Sequence, residues 1–497
     1  MATSQQRHYS APCPGCGAPV EFLSAQSSYA VCGYCHSTVV RRGEVLARVG
    51  KMAELFEDHS PLQLMASGKW EGTAFTLIGR MQFRGEEGGW TEWNAWLDDG
   101  RRATLGEDNG AYVFTQPLQP PPADLPAPEQ LGLGARLTLA GQRWSVAAHL
   151  QAHLAAAEGE LPRLPPPGQQ FLVVELRSDD GQVLSIDYGG TTPRLEIGRS
   201  VQLAELQLKG LKDASLKQEQ GRHFDCPHCG APVQVQLQST KSITCGSCHS
   251  LIDLSGGIGA ELLSATQQAG AAPLIALGSI GQFEGVPWQV VGYQRRLGQE
   301  PDDDEQFGWD EYLLYNQQKG FIFLVDASDG WSLVRPATGA PKLGALGAAA
   351  SYLGMSYVRT SGYRAETAYV AGEFYWPVER GQQTDNVDYA ATQGKGILSR
   401  EKSDKEITWS YGSRLASATV AQAFGREAEA DKFKRDEVGP FVASGGSGCG
   451  LTVLILIVFI MVVIMLSTCT DGSSSSGSYN RSSGGSFGGY SSGGSHK

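Results

Sequence analysis

Hydrophobic side chains fall in three regimes along the chain. Over most of the first 415 residues they come as short runs such as FTLIGRMQF, WNAWL, AYVF, FLVVEL, YLLY and FIFLV, bounded by DDG, DNG, SDG and GG. Aromatic and β-branched residues suit a pleated surface, and the Gly/Asp/Asn clusters turn the chain between them. Many short β-strands are predicted. On one of them Trp90 and Glu92 share a face and Trp93 takes the other, because strand side chains alternate. The run SYVRTSGYRAETAYVAGEFYW alternates too, and reads as one bent strand or as a hairpin. Helical spacing is clearest at 416–435, ASATVAQAFGREAEADKFKR, where apolar positions thin into a charged end.

The last regime is different material. Residues 451–466, LTVLILIVFIMVVIML, hold Leu, Ile, Val or Phe at 13 of 16 positions. With Ser467, Thr468 and Cys469 the segment 451–469 is long enough to cross a bilayer core at ~1.5 Å per helical residue. At roughly -0.3 to -0.6 kcal/mol per apolar residue, insertion is favoured by about 4 to 8 kcal/mol. A transmembrane helix is predicted here. Lys432, Lys434 and Arg435 precede it, whereas only Arg481 and Lys497 follow, so the positive-inside rule places the large N-terminal region in the cytosol. This makes a single-pass protein of the inner (cytoplasmic) membrane. The remaining residues, TDGSSSSGSYNRSSGGSFGGYSSGGSHK, cannot bury a core and read as a disordered tail. The opening MATSQQRHYS lacks the apolar centre of a secretory signal.

The chain repeats itself. CPGCGAPVEFLSAQSSYAVCGYCHS at 13–37 and CPHCGAPVQVQLQSTKSITCGSCHS at 226–250 are identical at 12 of 25 positions, with an offset of 213. Downstream, Gly79 aligns with Gly292, Trp90-Thr91-Glu92 with Trp309-Asp310-Glu311, and Gly159-Glu160-Leu161 with Gly372-Glu373-Phe374. A period this long reads as tandem domain duplication rather than a solenoid.

Eight of the ten cysteines form four Cys-x-x-Cys pairs. Cys13, Cys16, Cys32 and Cys35 make one quartet. Cys226, Cys229, Cys245 and Cys248 make another with the same spacing. A Cys-x-x-Cys knuckle sets two thiolates on one side of a tight turn whose N–H groups face the sulfurs, and two knuckles close a tetrahedron around Zn²⁺. Pro14 and Pro227 fix the dihedral entering each turn, and Gly17, Gly33, Gly230 and Gly246 are expected to supply its freedom. Four thiolates leave no open position, so two structural zinc ions are expected and no Lewis-acid catalyst. His36 and His249 read as surface residues beside the quartets rather than as ligands.

Net charge is -12, and the first ribbon has no Lys or Arg between Cys13 and Val40. Phosphate-backbone binding needs clustered positive charge, so nucleic acid is not an expected partner. No metalloprotease, P-loop or nucleophile-elbow motif occurs. The polar residues kept in both copies are Glu92/Glu311 and Glu160/Glu373. They could line a ligand groove, or satisfy backbone donors at strand ends.

The motifs Trp90-x-Glu92, Gly-Glu-Leu/Phe, Leu398-Ser-x-Glu401 and Glu406-Ile407-x-Trp409-Ser410-x-Gly412 resemble those of the bacterial domain-of-unknown-function family 4178. The resemblance covers both large modules and is fuller in the second, since the first has Leu-Ser-Ile-Asp where Leu-Ser-x-Glu is expected. It implies no established activity and transfers no catalytic residue.

The expected architecture is mainly β: zinc ribbon 11–42, β-domain 55–210, zinc ribbon 223–254, β-domain 260–425, juxtamembrane linker 426–449, transmembrane helix 450–469 and tail 470–497. The β-domains read as sandwiches or open barrels. The expected function is a non-enzymatic, cytosol-facing membrane scaffold or adaptor, with protein partners at the membrane face and a place in a membrane or envelope-stress complex. The alternatives are a small-molecule or peptide sensor using the β-domains, and an enzyme of unrecognised type.

Overall fold

The computed structural model describes residues 9–437 except 25, 43–44, 54–59, 86–88, 109–110, 123, 167, 179, 213–221, 238–239, 255–263, 266, 268–271, 302–304, 318 and 338–340. The expected membrane helix and Gly/Ser tail lie outside the described residues. Among the described residues, no helix is long and apolar enough to cross a membrane.

The first ribbon is two hairpins and an added strand. β1 (Tyr9–Pro12) pairs β2 (Pro19–Phe22) around the first knuckle. β3 (Tyr29–Val31) pairs β4 (Ser37–Arg42) around the second, and β5 (Val45–Lys51) lies against β4. After β6 (Ser67–Trp70) come β7 (Thr73–Gly85), β8 (Gly89–Leu97), β9 (Arg102–Asp108) and β10 (Ala111–Pro117). Then β11 (Arg136–Leu139) leads into β12 (Gln142–Leu161), β13 (Phe171–Ser178), β14 (Gln182–Asp187) and β15 (Arg194–Val201). The sheet runs β7-β8-β9-β10-β15-β14-β13-β12, and β12 pairs β7 again. This is a closed, antiparallel, eight-stranded barrel made of two four-strand meanders.

The second unit repeats it. β16 (Arg222–Asp225) with β17 (Pro232–Val235), β18 (Ser242–Thr244) with β19 (Leu251–Asp253), and β20 (Ser264–Ala265) form the ribbon. β21 (Ile280–Phe283), β22 (Val286–Gln299), β23 (Gln306–Asn316), β24 (Gly320–Ala327) and β25 (Gly330–Pro336) follow. A small sheet of β26 (Lys342–Leu343) and β27 (Ala349–Tyr352) precedes β28 (Met355–Phe374), β29 (Gln383–Ala391), β30 (Gly396–Lys402) and β31 (Ile407–Leu415). Arg364, Ala365 and Glu366 of β28 each have a partner on β29 and another on β22, so the strand is flanked on both sides and the barrel is closed. Neither unit is a sandwich or an open barrel. Closure pairs every barrel strand on both edges, and eight strands leave an interior that side chains can fill.

β28 settles the ambiguous alternating run as one strand of 20 residues. Its first half pairs β29 and its second half β22, and Glu373 and Phe374 go on to pair β18 of the ribbon. β12 likewise reaches β3. Each ribbon is therefore a continuation of its barrel's sheet.

Alternation puts Trp309, Leu313, Phe323, Val325 and Val334 inside the second barrel. Tyr312, Leu324 and Trp331 face outward, beneath α1 (Ser417–Ala423) and α2 (Ala430–Phe433). The helical pattern at 416–435 is thus two short helices joined at Gly425, whose φ of +63° stops the first. Residues 426–437 are not a free linker. Phe433 is fully buried, its carbonyl accepts from Trp331 Nε1 at 2.8 Å, and Arg435 holds Asp326 through two contacts of 2.5 and 2.6 Å.

Candidate metal centres and barrel interiors

The knuckles gather each quartet at the open end of its ribbon. In the first, Cys13 Sγ and Cys35 Sγ are 3.7 Å apart, as are Cys16 Sγ and Cys32 Sγ. In the second, Cys226–Cys248 is 3.8 Å and Cys229–Cys245 is 3.7 Å. All four sulfurs of each set lie within 4.8 Å of one another. A disulfide needs about 2.05 Å, so these are not bonded pairs. Ligands ~2.3 Å from a shared tetrahedral centre have edges of about 3.8 Å, which these spacings match. The N–H of Gly15 faces Cys13 Sγ at 3.3 Å and that of Ser247 faces Cys245 Sγ at 3.4 Å. Each cluster is therefore built to hold a metal ion.

Two details differ from expectation. The left-handed residue ending each knuckle is Gly17 (φ +80°), His36 (+55°), Gly230 (+73°) or His249 (+59°), whereas Gly33 and Gly246 are not left-handed. The histidines close the turn, their N–H groups bonding Cys32 O and Cys245 O at 2.9 Å. The serines after them escaped the sequence reading, although Cys-His-Ser stands in both copies. Ser37 Oγ lies 3.2 Å from Cys35 Sγ and Ser250 Oγ 3.3 Å from Cys248 Sγ. These contacts hold the Cys35 thiol down to about 6 and the Cys248 thiol down to about 5, while the Cys16 and Cys229 thiols of the same clusters are pushed up to about 12.

Glu160 and Glu373 do not line a groove. They dock the ribbons. Glu373 accepts the N–H groups of Gln236 at 2.8 Å and Leu237 at 3.1 Å, and the Thr240 hydroxyl at 2.6 Å. Glu160 accepts the equivalent N–H groups of Leu23 and Ser24. The preceding glycine is needed for contact: Gly372 has φ +89°, and a Cβ there would sit 2.3 Å from Val291 O. Opposite it in register stands Gly292, and Gly159 faces Gly79 in the same way.

Glu92 and Glu311 point into the barrels with their tryptophans. Trp90 Nε1 donates to Glu92 at 3.1 Å and Trp309 Nε1 to Glu311 at 2.5 Å. A second carboxylate joins each, Asp187 in barrel 1 and Glu401 in barrel 2, at matching register positions. A guanidinium serves each pair. Arg163 lies 3.4 Å from Glu92 and 2.6 Å from Asp187, with Phe83 and Phe171 against its face. Arg296 lies 3.4 Å from Glu401 and 2.8 Å from Thr384 Oγ1, over Trp309. Burial pushes the Glu311 carboxyl up to about 8 against the pull of Arg296.

The barrels differ beyond this. Phe171 and Val173 of barrel 1 correspond to Thr384 and Asn386 of barrel 2. Asp388 accepts from Tyr363 OH at 2.9 Å and Ser399 Oγ at 2.6 Å, and burial pushes it up to about 7. At the positions of Thr384 and Asn386 the second barrel carries polar side chains where the first has apolar ones.

Residues 64–203 and 276–417 each match a family model described as a domain of unknown function (DUF4178), and the chain belongs to that family, with two tandem copies. Each copy follows one thiolate quartet. No curated protein and no solved structure matches the chain.

Proposed function

We propose that the protein is a membrane-tethered, non-enzymatic scaffold in which two zinc ions rigidify a double-barrel docking body. The observation that carries the reading is the seam between ribbon and barrel. β28 serves both modules and Glu373 bonds three donors of the ribbon. Metal held there stiffens the platform, and the all-thiolate donor set suits Zn²⁺ in a closed site. The apolar segment 451–469 supplies the tether, with the barrels in the cytosol and protein partners at the membrane face. The test is affinity capture of the detergent-solubilised full chain from its host, beside Cys226→Ser/Cys229→Ser, with metal content measured on both. About two zinc ions and defined membrane partners lost in the variant would support the scaffold. Absence of any partner from a zinc-loaded chain would end it.

A second reading, ligand sensing, is favoured by the desolvated polar interior of barrel 2. Glu311, Asp388 and Glu401 converge there, each less than a tenth exposed.

A further inference from the structure

The two barrels treat one buried acidic position in opposite ways. In barrel 1, Glu175 on β13 faces inward and is neutralised from its own strand: Arg177 Nη2 lies 2.7 Å from Glu175 Oε2, with both side chains buried. In barrel 2 the corresponding carboxylate is Asp388 on β29. Register fixes the equivalence, since Glu175 pairs Ser185 of β14 as Asp388 pairs Ser399 of β30. Two residues on, where barrel 1 has Arg177, barrel 2 has Ala390. A methyl group there leaves room.

That room is present. A cleft of about 30 Å³ opens at the mouth of barrel 2, lined among others by Asp329, Ser332, Asp388, Ala390, Ser399 and Arg414. Such a volume suits a small polar head group and not a bulky one. At its rim, Arg414 is paired with Asp329 at 3.1 Å. At its floor, Asp388 has its two oxygens on the hydroxyls of Tyr363 and Ser399. A carboxylate that only hydroxyls serve keeps acceptor capacity for a charged donor. Asn386, on the same inward face, is 2% exposed, and its Nδ2 and Oδ1 have no hydrogen-bond partner.

We propose that the mouth of barrel 2 binds a compact N–H-bearing cation, a primary ammonium or guanidinium head, at the position that Arg177 fills in barrel 1. The site is distinct from the thiolate quartets and does not depend on the scaffold reading. Its recognition chemistry is a charge-assisted hydrogen bond to Asp388 in a narrow cleft, with the Ser399 and Ser332 hydroxyls beside it. Cations without N–H donors lack the hydrogen bond, and tetramethylammonium is too large for the cleft.

The test uses the full chain in detergent with its metal loaded. Binding of methylammonium and guanidinium at low concentration is followed by calorimetry and thermal shift, against sodium and tetramethylammonium at equal ionic strength. The N–H cations should bind and raise the melting temperature, and the controls should not. Asp388→Asn, nearly isosteric, should weaken binding by about tenfold or more. Ala390→Arg should restore the barrel 1 arrangement, melt higher than wild type and stop responding to added cation. If Ala390→Arg does not fold, Asp388→Asn carries the test alone. Equal response to sodium and methylammonium, or unchanged binding by Asp388→Asn, overturns the proposal. The acetylated amides of lysine and arginine separate the sources. Tighter binding than methylammonium assigns the cation to a partner's side chain, and equal binding assigns it to a free amine.

Discussion

Arg163 and Arg296 deliver a guanidinium to equivalent carboxylate pairs from different places in the fold, Arg296 from β22 and Arg163 from the segment after β12. Arg296 rises from β22, where barrel 1 has Phe83. Arg163 follows β12, where barrel 2 has the fully buried Trp376. The charge is kept while its attachment point and an aromatic ring change places. Removing one partner of a buried pair strands the other, at about 3–5 kcal/mol. Arg163→Trp should destabilise the first unit by that order in denaturant unfolding. The double variant Phe83→Arg/Arg163→Trp should recover part of the loss, with a coupling of about 0.5–3 kcal/mol. Strict additivity would refute the exchange.

Glu373→Ala should leave the donors of Gln236, Leu237 and Thr240 without their acceptor, costing about 2–4 kcal/mol. The break lies at the seam, so limited proteolysis should cut between ribbon and barrel before either is degraded. Glu373→Gln keeps an acceptor oxygen and should lose less.

Gly372→Ala asks a left-handed residue to carry a Cβ that meets Val291 O at 2.3 Å. The strain, about 1–3 kcal/mol, should show as a lower melting temperature. Gly33→Ala, with nothing within 4 Å of an added Cβ and no positive φ, should be close to neutral.

Part of this was legible in the chain and part was not. Quartet spacing, duplication and β character show in residue types and intervals, and so did the shared face of Trp90 and Glu92. Barrel closure did not, because pairing between β22 and β28 joins residues some seventy apart and leaves no local trace. The role of Glu160 and Glu373 was open for the same reason: their partners lie 136 and 137 positions away. The Arg163/Arg296 exchange escaped because, position by position, Phe83 and Arg296 look unrelated.

The titration of Glu311 gives a signed expectation. Burial raises its folded value from 4.5 to about 8, so the folded state holds a proton that the unfolded state has released across that window. Stability from this group therefore falls as pH rises from about 4.5 to 8. Arg296, Glu401, Gln294 and Trp309 face the carboxyl. Denaturant unfolding from pH 5.5 to 8.5 should show a shallower decline for Glu311→Gln than for wild type. Parallel curves would mean that Glu311 stays ionised throughout.

Metal removal should reach beyond the ribbons. A chelator that strips the second quartet should lower the melting temperature of barrel 2 as well, because β28 is common to both. Hydrogen exchange at Val370 and Gly372 is the direct readout. A barrel indifferent to chelation would show the modules to be independent.

The Asp326–Arg435 contact also fixes the end of the second unit against barrel 2. Phe433 is buried and Arg435 clasped close to Glu437, the last described residue. Only the 13 residues 438–450 separate that point from Leu451. At full stretch they reach about 45 Å. If 451–466 is held in a membrane, as proposed, barrel 2 lies within that reach of it, and barrel 1 follows along the chain through barrel 2.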